Sequence, residues 1–481
     1  MIDRLADILS PSGAATLIGS QTFWLMLLLF YPLYALVRRR RTAMMTFVVA
    51  FSLLFAYKSS GLMALLVIVK AVADYWLSVA ITRSRSRGRR RGLLALSVVL
   101  SVGLLVYFKY AGFLVASISS IVGGNFQLPD IVVPIGISFF TFRSVSYSVD
   151  VYRGVVVAPR RMLDYVFYLT YFPVLTAGPI VRASEFFPQL GGARRVELSA
   201  LYSGLMLMMK GMLKKAVIAD YLAQFNDLVF GNPSGYNGLE TLLALVGYSA
   251  QIYLDFSGYS DIAIGLSRTL GIELPQNFRS PYKAASITDF WRRWHITLSS
   301  WLRDYLYIPL GGNRRGPWRM RLNLMLTMTV GGIWHGAGLA FLAWGALHGA
   351  ALVVQKSVGR LLPSFRGDSL LYAAATFLFV TLAWLPFRCP TVGDSWLMLT
   401  RIFSDFDIAF LPAFCSERRL WVVMLVVAYT FICLPDRFSA WAERRFVASR
   451  WVVKLLLLCL LAQLVVEMES AYVAPFIYAG F

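Results

Sequence analysis

Acidic residues and cysteines are scarce in this chain. Its 481 residues include 25 acidic and 46 basic side chains, so the formal net charge is +21. The four cysteines form no CxxC pair and no Cys/His spacing typical of a metal site, so neither a disulfide framework nor a metal centre is predicted. The basic residues fall in short clusters between apolar runs, which is typical of a membrane topology signal, and no nucleic-acid partner is predicted.

The sequence also contains no stretch that resembles a soluble domain. Hydrophobic residues make up 58% of the chain, which predicts a polytopic membrane protein surrounded by a lipid bilayer. The first apolar run, residues 16–37, has basic residues after it rather than before it. We therefore expect a retained helix and not a cleaved signal peptide. The basic clusters Arg38–Arg41 and Arg83–Arg91 are both predicted to be cytoplasmic.

Several later apolar segments are short and are interrupted by proline and glycine. Such segments are expected to be re-entrant or buried pieces, because irregular backbone at membrane depth needs protein or water around it. They are Ile131–Phe142, Val166–Thr176, Leu201–Met212, Leu242–Ile252 and Ile262–Leu270. The predicted fold is an all-α polytopic membrane protein with about eleven transmembrane helices plus broken helices, in one membrane-embedded domain spanning residues 1–481.

The chain has only three histidines, His295, His335 and His348. His335 lies between glycines in the apolar run Thr329–Ala350. An ionisable ring at membrane depth is costly and marks a functional candidate, and the glycines beside it remove bulk. One continuous helix would hold His335 and His348 roughly 20 Å apart, too far to bind one ion or haem together unless the helix breaks. His348 is expected to be mostly structural. The longer run Leu322–Val354 exceeds one straight span and is expected to break at its glycines.

The segment Ser286–Tyr307 is predicted to be one amphipathic helix. Ser286 followed by Asp289 resembles a capping box at its start. At about 100° per residue, one face is apolar and the other polar. The apolar face carries Trp291, Trp294, His295, Leu298, Leu302 and Tyr305, and the polar face carries Arg292, Arg293, Ser299, Ser300, Arg303 and Asp304. An interfacial helix explains the two faces but not a titratable ring on the apolar one.

Familiar nucleophile motifs do not occur in the sequence. There is no G-x-S-x-G elbow, and neither His295 nor His335 is followed after four residues by the aspartate of soluble H-x-x-x-x-D acyltransferases. Asp255 and Asp261 are two carboxylates in apolar surroundings. They are candidates for binding protons or ions, and a structural role as hydrogen-bond acceptors is equally open.

Five stretches carry a resemblance to a known family, and they occur in the expected order along most of the chain. They are PIGISFFTFRSVSYSVDVYRG (Pro134–Gly154), AGPIVRASEFFPQL (Ala177–Leu190), LPQNFRSPY (Leu274–Tyr282), FWRRWHITLSSWLRDYLYIPLGGNR (Phe290–Arg314) and GGIWHGAGLAFLAWGALHG (Gly331–Gly349). By these residues the chain resembles the membrane-bound O-acyltransferase family, and within it the bacterial branch that O-acetylates alginate.

The resemblance implies a helical membrane fold around a central tunnel. His335 matches the catalytic histidine of the family, and His295 matches its second signature histidine. Supporting or tunnel-lining roles are predicted for four further residues: Trp334, Asp255, Asp261 and Asn277. No metal and no bound cofactor are expected.

The resemblance also implies an activity and a location. An acyl group, expected to be acetyl, would pass from acetyl-CoA or an acyl carrier thioester in the cytoplasm to an extracytoplasmic polysaccharide. The membrane would be the bacterial cytoplasmic membrane, and an extracytoplasmic partner acyltransferase would complete the reaction. Two alternatives are D-alanyl transfer to teichoic acid and a transporter or flippase.

The C-terminal residues Pro475–Phe481 resemble the Pro-Phe-Ile-Tyr-x-x-Phe ending of this branch. Tyr478 is therefore a candidate acyl relay, because a phenol with a pKa of about 10 is a better leaving group than a sugar hydroxyl. The alternative is an aromatic anchor at the membrane interface.

Overall fold

The computed structural model describes residues 20–124, 126, 128, 131–191, 196–361 and 370–468. These residues form helices joined by turns, with no strand among them, which confirms the all-α prediction. They group into two compact units. Unit 1 comprises residues up to 201 together with 266–275, and unit 2 comprises residues 202–265 and those from 276 onward. The assignment of a single domain stays a prediction.

The helices of unit 1 are mostly long and apolar. They are α1 (Gln21–Val37), α2 (Arg41–Ser60), α3 (Leu65–Arg83), α4 (Arg87–Leu105), α5 (Ala111–Val122), α6 (Ile137–Arg153), α7 (Met162–Thr170) and α8 (Ala183–Phe186).

A buried carboxylate joins four helices of unit 1. Asp74 of α3 accepts hydrogen bonds from Ser144 of α6 at 2.6 Å, Tyr165 of α7 at 3.0 Å and Ser97 of α4 at 3.3 Å. It also forms an ion pair with Lys70 of its own helix. A buried charge is stable only when it is paired and hydrogen-bonded, so this network specifies how these helices pack.

Unit 2 holds all three histidines. The helices that lie wholly or mainly in it are α9 (Leu198–Met212), α10 (Asp220–Gly231), α11 (Gly238–Thr269), α12 (Ile287–Arg293), α13 (Ile296–Leu302), α14 (Gly316–His335), α15 (Leu339–Leu361), α16 (Leu370–Arg388), α17 (Val392–Ser404), α18 (Leu411–Glu417), α19 (Arg419–Cys433), α20 (Asp436–Ala448) and α21 (Trp451–Met468).

Five helical stretches among the described residues are long and apolar enough to cross a membrane, or up to six if the bent pair α19 and α20, which meet at 92°, is one span. The five are Arg41–Arg83, Arg87–Val122, Leu339–Val358, Leu370–Arg388 and Trp451–Met468. Together with the apolar composition they confirm a multi-pass membrane protein. The count of about eleven crossings and the central tunnel stay predictions.

One predicted break does not exist. Leu242–Ile252 and Ile262–Leu270 were expected to be separate short pieces, but α11 is a continuous helix of 32 residues, Gly238–Thr269. The prediction was wrong because polar residues such as Asp255 and Asp261 lower the hydropathy between the two segments. These carboxylates are ion-paired with lysines, so they remain inside the helix without interrupting it.

The expected break in Leu322–Val354 is confirmed. α14 ends at His335 and α15 begins at Leu339. The two helices pack closely through glycines, because a β-carbon on Gly332 would lie 2.3 Å from the carbonyl oxygen of Phe341, and one on Gly345 would lie 2.5 Å from that of Met328. Small residues of this kind let membrane helices approach each other.

The prediction of one helix over Ser286–Tyr307 was wrong. Its start is confirmed, since the Ser286 hydroxyl accepts a hydrogen bond from the Asp289 N–H at 3.1 Å. The chain then forms α12 and α13 with a break at Trp294–His295, followed by a π-helical turn over Arg303–Tyr307.

Long-range hydrogen bonds explain this break. The Asn277 carbonyl oxygen accepts from the Ile296 N–H at 2.9 Å, and the Arg293 carbonyl oxygen accepts from the Arg279 N–H at 2.9 Å. The backbone of residues 277–279 therefore forms hydrogen bonds with an N–H and a carbonyl group that a continuous helix would pair internally. The division into two faces holds despite the break. The residues of the apolar face are buried, except Tyr305, which is half-buried, and none of the polar face is buried.

Candidate active site

His335 is the last residue of α14 and lies at the turn into α15. Gly336, which follows it, has no room for a side chain, because a β-carbon there would lie 2.0 Å from the Phe341 ring. The turn Gly336–Gly338 thus brings the first residues of α15 back against the end of α14. The glycines that surround His335 in the sequence are explained by this close packing.

Aromatic rings surround the buried imidazole of His335. The ring centroids of Trp344 and Phe387 lie 5.1 Å and 5.2 Å from it, at interplanar angles of 90° and 70°. The adjacent Trp334 ring lies at 4.9 Å. Edge-to-face contacts of this kind fix the orientation of a ring. The ring is buried among aromatic side chains, so a proton or partial charge on the imidazole interacts strongly with neighbouring dipoles.

His295 lies at the N-terminus of α13 with its backbone in the left-handed region, at φ +42°. Few residue types other than glycine adopt this conformation, and histidine, asparagine and aspartate are among them. Its Nδ1 lies 3.1 Å from the side-chain oxygen of Asn277. A strained backbone at a buried polar residue is a common feature of functional sites.

Asn277 determines which ring nitrogen of His295 carries the proton. Its side-chain oxygen also accepts from the Thr297 hydroxyl at 2.9 Å and the Thr297 N–H at 3.4 Å, while its amide group donates to Ser260 at 3.2 Å. The oxygen is therefore an acceptor, so we assign the hydrogen to His295 Nδ1 and the lone pair to Nε2.

Burial lowers the pKa of His295 to about 3, so its imidazole is neutral at physiological pH. A group with so low a pKa holds a proton only weakly. At neutral pH it is therefore better suited to orienting a substrate by hydrogen bonding than to accepting a proton.

Trp334 brings the two predicted histidines together. Its ring centroid lies 6.2 Å from that of His295 and 4.9 Å from that of His335. The two imidazoles, which come from separate elements of unit 2, thus share one buried indole. Trp334 was predicted to shape the site, and its position is consistent with that role.

His348 belongs to the same cluster. Its Nδ1 accepts a hydrogen bond from the Trp291 indole at 3.3 Å, and its ring lies 4.9 Å from Trp344, which also contacts His335. A separation of roughly 20 Å between His335 and His348 would apply only to an unbroken helix. Because the run breaks at Gly336–Gly338, as predicted, both rings instead contact Trp344.

Asp255 and Asp261 lie on α11 and are ion-paired. Asp255 is 2.7 Å from Lys215, and Asp261 is 2.7 Å from Lys214. Both lysines belong to the π-helical turn Leu213–Ala219. This arrangement supports the structural reading of the two carboxylates. The sequence contained one indication of these ion pairs. Lys214 and Lys215 are adjacent in an apolar segment, and buried lysines need acceptors, but the sequence does not show which residues provide them.

One predicted site residue lies outside the described part of the chain, and two residues that contact His335 were not predicted. Tyr478 lies outside the residues that the structure describes, so its relay role stays a prediction. Trp344 and Phe387 contact His335 but were not anticipated, because single aromatic residues in apolar helices carry no distinctive local pattern. No group of three or more His, Cys, Asp or Glu residues that could hold a metal occurs among the described residues.

Comparison with known proteins identifies the family. Residues 158–390 match the model of the membrane-bound O-acyltransferase family, MBOAT. The probable alginate O-acetylase AlgI of Pseudomonas putida is 35% identical over 95% of this chain and 98% of its own length. The chain belongs to the membrane-bound O-acyltransferase family and is an O-acyltransferase, as its resemblance predicted.

Two further relatives span most of the chain. The probable alginate O-acetylase AlgI of Pseudomonas syringae pv. tomato is 39% identical over 85% of this chain and 80% of that protein. The peptidoglycan O-acetyltransferase of Helicobacter pylori is 36% identical over 69% of this chain and 68% of that protein.

Proposed function

We propose that this chain takes an acetyl group from an activated donor in the cytoplasm and moves it across the bacterial cytoplasmic membrane for O-acetylation of an extracytoplasmic polysaccharide. The observation that carries the proposal is the packing of His335 and His295 against the same buried indole, Trp334. Its relatives include a probable alginate O-acetylase and a peptidoglycan O-acetyltransferase, and these activities support acetyl as the group transferred.

In the proposed reaction, a hydroxyl oxygen of the acyl acceptor attacks the carbonyl carbon of the acetyl thioester donor. As the new C–O bond forms, His335 accepts the hydroxyl proton and the carbonyl electrons move to oxygen. When the intermediate collapses, the C–S bond breaks and the imidazolium returns the proton to the departing thiolate. The aromatic wall of Trp344 and Phe387 keeps out water that would hydrolyse the thioester. His295, held by Asn277, orients the reacting groups.

The proposal includes an acetyl donor on the cytoplasmic side and a protein partner on the other side of the membrane. Acetyl-CoA or an acyl carrier thioester supplies the acetyl group as a substrate. Both donors are anionic, so the exposed basic clusters around Arg38–Arg41 and Arg83–Arg91 would raise their concentration near the cytoplasmic surface. An extracytoplasmic partner acyltransferase completes the transfer to the polymer. Ion-coupled transport is less favoured, because lysines already neutralise the charges of Asp255 and Asp261.

The proposal is tested by acyl analysis of envelope polysaccharides from cells that carry the full-length protein or its His335→Ala variant. We expect ester-linked acetate with the wild type and its loss with the variant, at equal amounts of folded protein in the membrane. Normal acetylation with His335→Ala would exclude the catalytic assignment. Ester-linked D-alanine in place of acetate would favour the D-alanyl alternative, and ion-coupled uptake that persists in the variant would favour a transporter.

A further inference from the structure

The buried indole N–H of Trp344 forms no hydrogen bond with any described residue. The side chain is 1% exposed, and its indole N–H has no hydrogen-bond acceptor among the described residues. Other indoles of unit 2 differ in this respect. Trp384 donates to the Tyr282 hydroxyl at 3.3 Å, and Trp421 donates to the Leu222 carbonyl oxygen at 3.1 Å. A buried donor without an acceptor is an exception in folded proteins and requires a reason.

The position of Trp344 suggests the reason. Its ring meets His335 edge to face, with the centroids 5.1 Å apart and the planes at 90°. The N–H is part of that ring, so the donor lies in the same cluster as the candidate base. A stacked contact with Trp384 at 6.0 Å and 18°, and an edge contact with Phe387 at 5.1 Å, hold the indole in place. The indole that carries the donor is therefore fixed against the ring of His335.

A second donor lies in the same cluster. His348 Nδ1 accepts from Trp291, so in the neutral imidazole the hydrogen is on Nε2. This Nε2 is also buried and has no acceptor among the described residues. The His348 ring contacts Trp344 at a centroid distance of 4.9 Å. Two neighbouring buried donors, neither with an acceptor in the described part of the chain, favour a ligand oxygen with lone pairs, such as a carbonyl oxygen.

We propose that Trp344 is a catalytic residue whose Nε1–H donates a hydrogen bond to the carbonyl oxygen of the acyl group during transfer. The inference rests on the proposed function. When the acceptor hydroxyl attacks the carbonyl carbon, His335 takes the proton and negative charge develops on the carbonyl oxygen. The N–H of Trp344 stabilises that charge and itself transfers no proton. Collapse restores the C=O bond, expels the thiolate, and passes the proton from His335 to it.

The experiment compares the full-length protein with Trp344→Phe in intact cells. A pulse of radiolabelled acetate labels the cellular acetyl donor, and the initial rate of label entry into the envelope polysaccharide is measured per amount of folded protein. Removing one donor to a developing oxyanion typically lowers the rate about 10²-fold, and we expect a loss of that order. Trp421→Phe is the matched control. It also removes a buried indole N–H of unit 2, but one that already donates to the Leu222 carbonyl oxygen, so the rate should stay within a few-fold of wild type.

The possible outcomes separate this inference from the proposed function. If the wild type incorporates no label, the proposed function is wrong. If the wild type is active and Trp344→Phe matches it, the function stands and the role of Trp344 is refuted. If Trp344→Phe does not fold, 3-benzothienylalanine is introduced at position 344, because it keeps the shape of the indole and replaces only the N–H with sulfur. A wild-type rate with that analogue would refute the proposal, and a loss of about 10²-fold would support it.

Discussion

At the scale of single residues, Asn277 is the organising polar group of the candidate site. Its oxygen accepts from the ring of His295 and from two groups of Thr297, and its main-chain oxygen helps to end α12. One residue therefore determines the tautomer of the imidazole and the position of the backbone that carries it. Its prediction as a supporting residue rested on family resemblance, and the structure supplies a physical basis for it.

Asn277→Ala is predicted to impair acyl transfer by misplacing His295. The change removes the oxygen that accepts from the buried donors of His295 and Thr297, at a cost of about 1–3 kcal/mol. If that energy is lost from transition-state stabilisation, the rate falls by about fivefold to 160-fold. The measurement is the rate of acetate incorporation per amount of folded protein.

Ser260→Ala is the control for Asn277→Ala. It removes only the acceptor of the Asn277 amide group and leaves the contact with His295 intact. Its effect on the rate should be clearly smaller. Equal effects of the two changes would show that Asn277 acts through general packing rather than through the imidazole.

At the scale of elements, the pair α14 and α15 places Trp344 against His335. The helices approach so closely because Gly332 and Gly345 have no side chains. Gly345, the residue after Trp344, is therefore part of the site architecture. Local sequence explains the turn between the helices, and the packing of the glycines sets the distance between them.

Gly345→Ala is predicted to reduce both stability and activity. Alanine would ordinarily favour a helix by about 1 kcal/mol over glycine. Here its β-carbon would lie 2.5 Å from the Met328 carbonyl oxygen, so α15 must shift. We expect a loss of about 1–3 kcal/mol in stability, as for other overpacked positions. A shift in the thermal unfolding midpoint of the purified protein and a lower acetylation rate would be measured together.

Gly338→Ala is the matched control in the same region. The nearest atom to its β-carbon is Phe341 Cδ2 at 3.9 Å, an ordinary contact. This variant should keep the unfolding midpoint and the acetylation rate of the wild type. A stable, active Gly345→Ala variant would contradict the view that close helix packing positions Trp344.

At the scale of the whole molecule, the basic clusters predict the membrane topology. The helical stretch Arg41–Arg83 has 43 residues. A straight helix of this length would span about 65 Å, roughly twice the hydrocarbon thickness of a bilayer. The helix is interrupted at Gly61, where φ is +55°. Two crossings that reverse near Gly61 are consistent with these facts and place both ends on the same side.

Cysteines introduced at Arg39 and Arg89 are therefore predicted to resist an impermeant thiol reagent added to intact cells. Both positions are exposed in the structure, so resistance would reflect location and not burial. Labelling after permeabilisation is the control for reactivity. If Arg39→Cys is protected and Arg89→Cys reacts from outside, Arg41–Arg83 crosses once. If both react from outside, the assumed direction of acyl transfer is wrong.

Sequence patterns predicted much of this molecule, and the exceptions have a common cause. The start of α12 at Ser286, the end of α14 near its glycines and the apolar helices follow from local chemistry. The break at His295 and the continuity of α11 depend on partners distant in sequence, namely Asn277 and the lysine pair. The same holds for Trp344 and His348, whose positions depend on the folding of α15 against α14. Periodicity and hydropathy do not encode these distant contacts.

The left-handed backbone at His295 has a consequence for genetic tests of this site. Alanine is poorly accommodated at positive φ, with a penalty of about 1–2 kcal/mol, whereas asparagine adopts this conformation more readily. An alanine substitution at His295 therefore removes a ring and also disturbs the left-handed residue at which α13 begins. The substitution His295→Asn separates these two effects, because it removes the ring and keeps a residue that tolerates positive φ. A scan based only on alanine would overstate how much of the loss of activity is due to the imidazole.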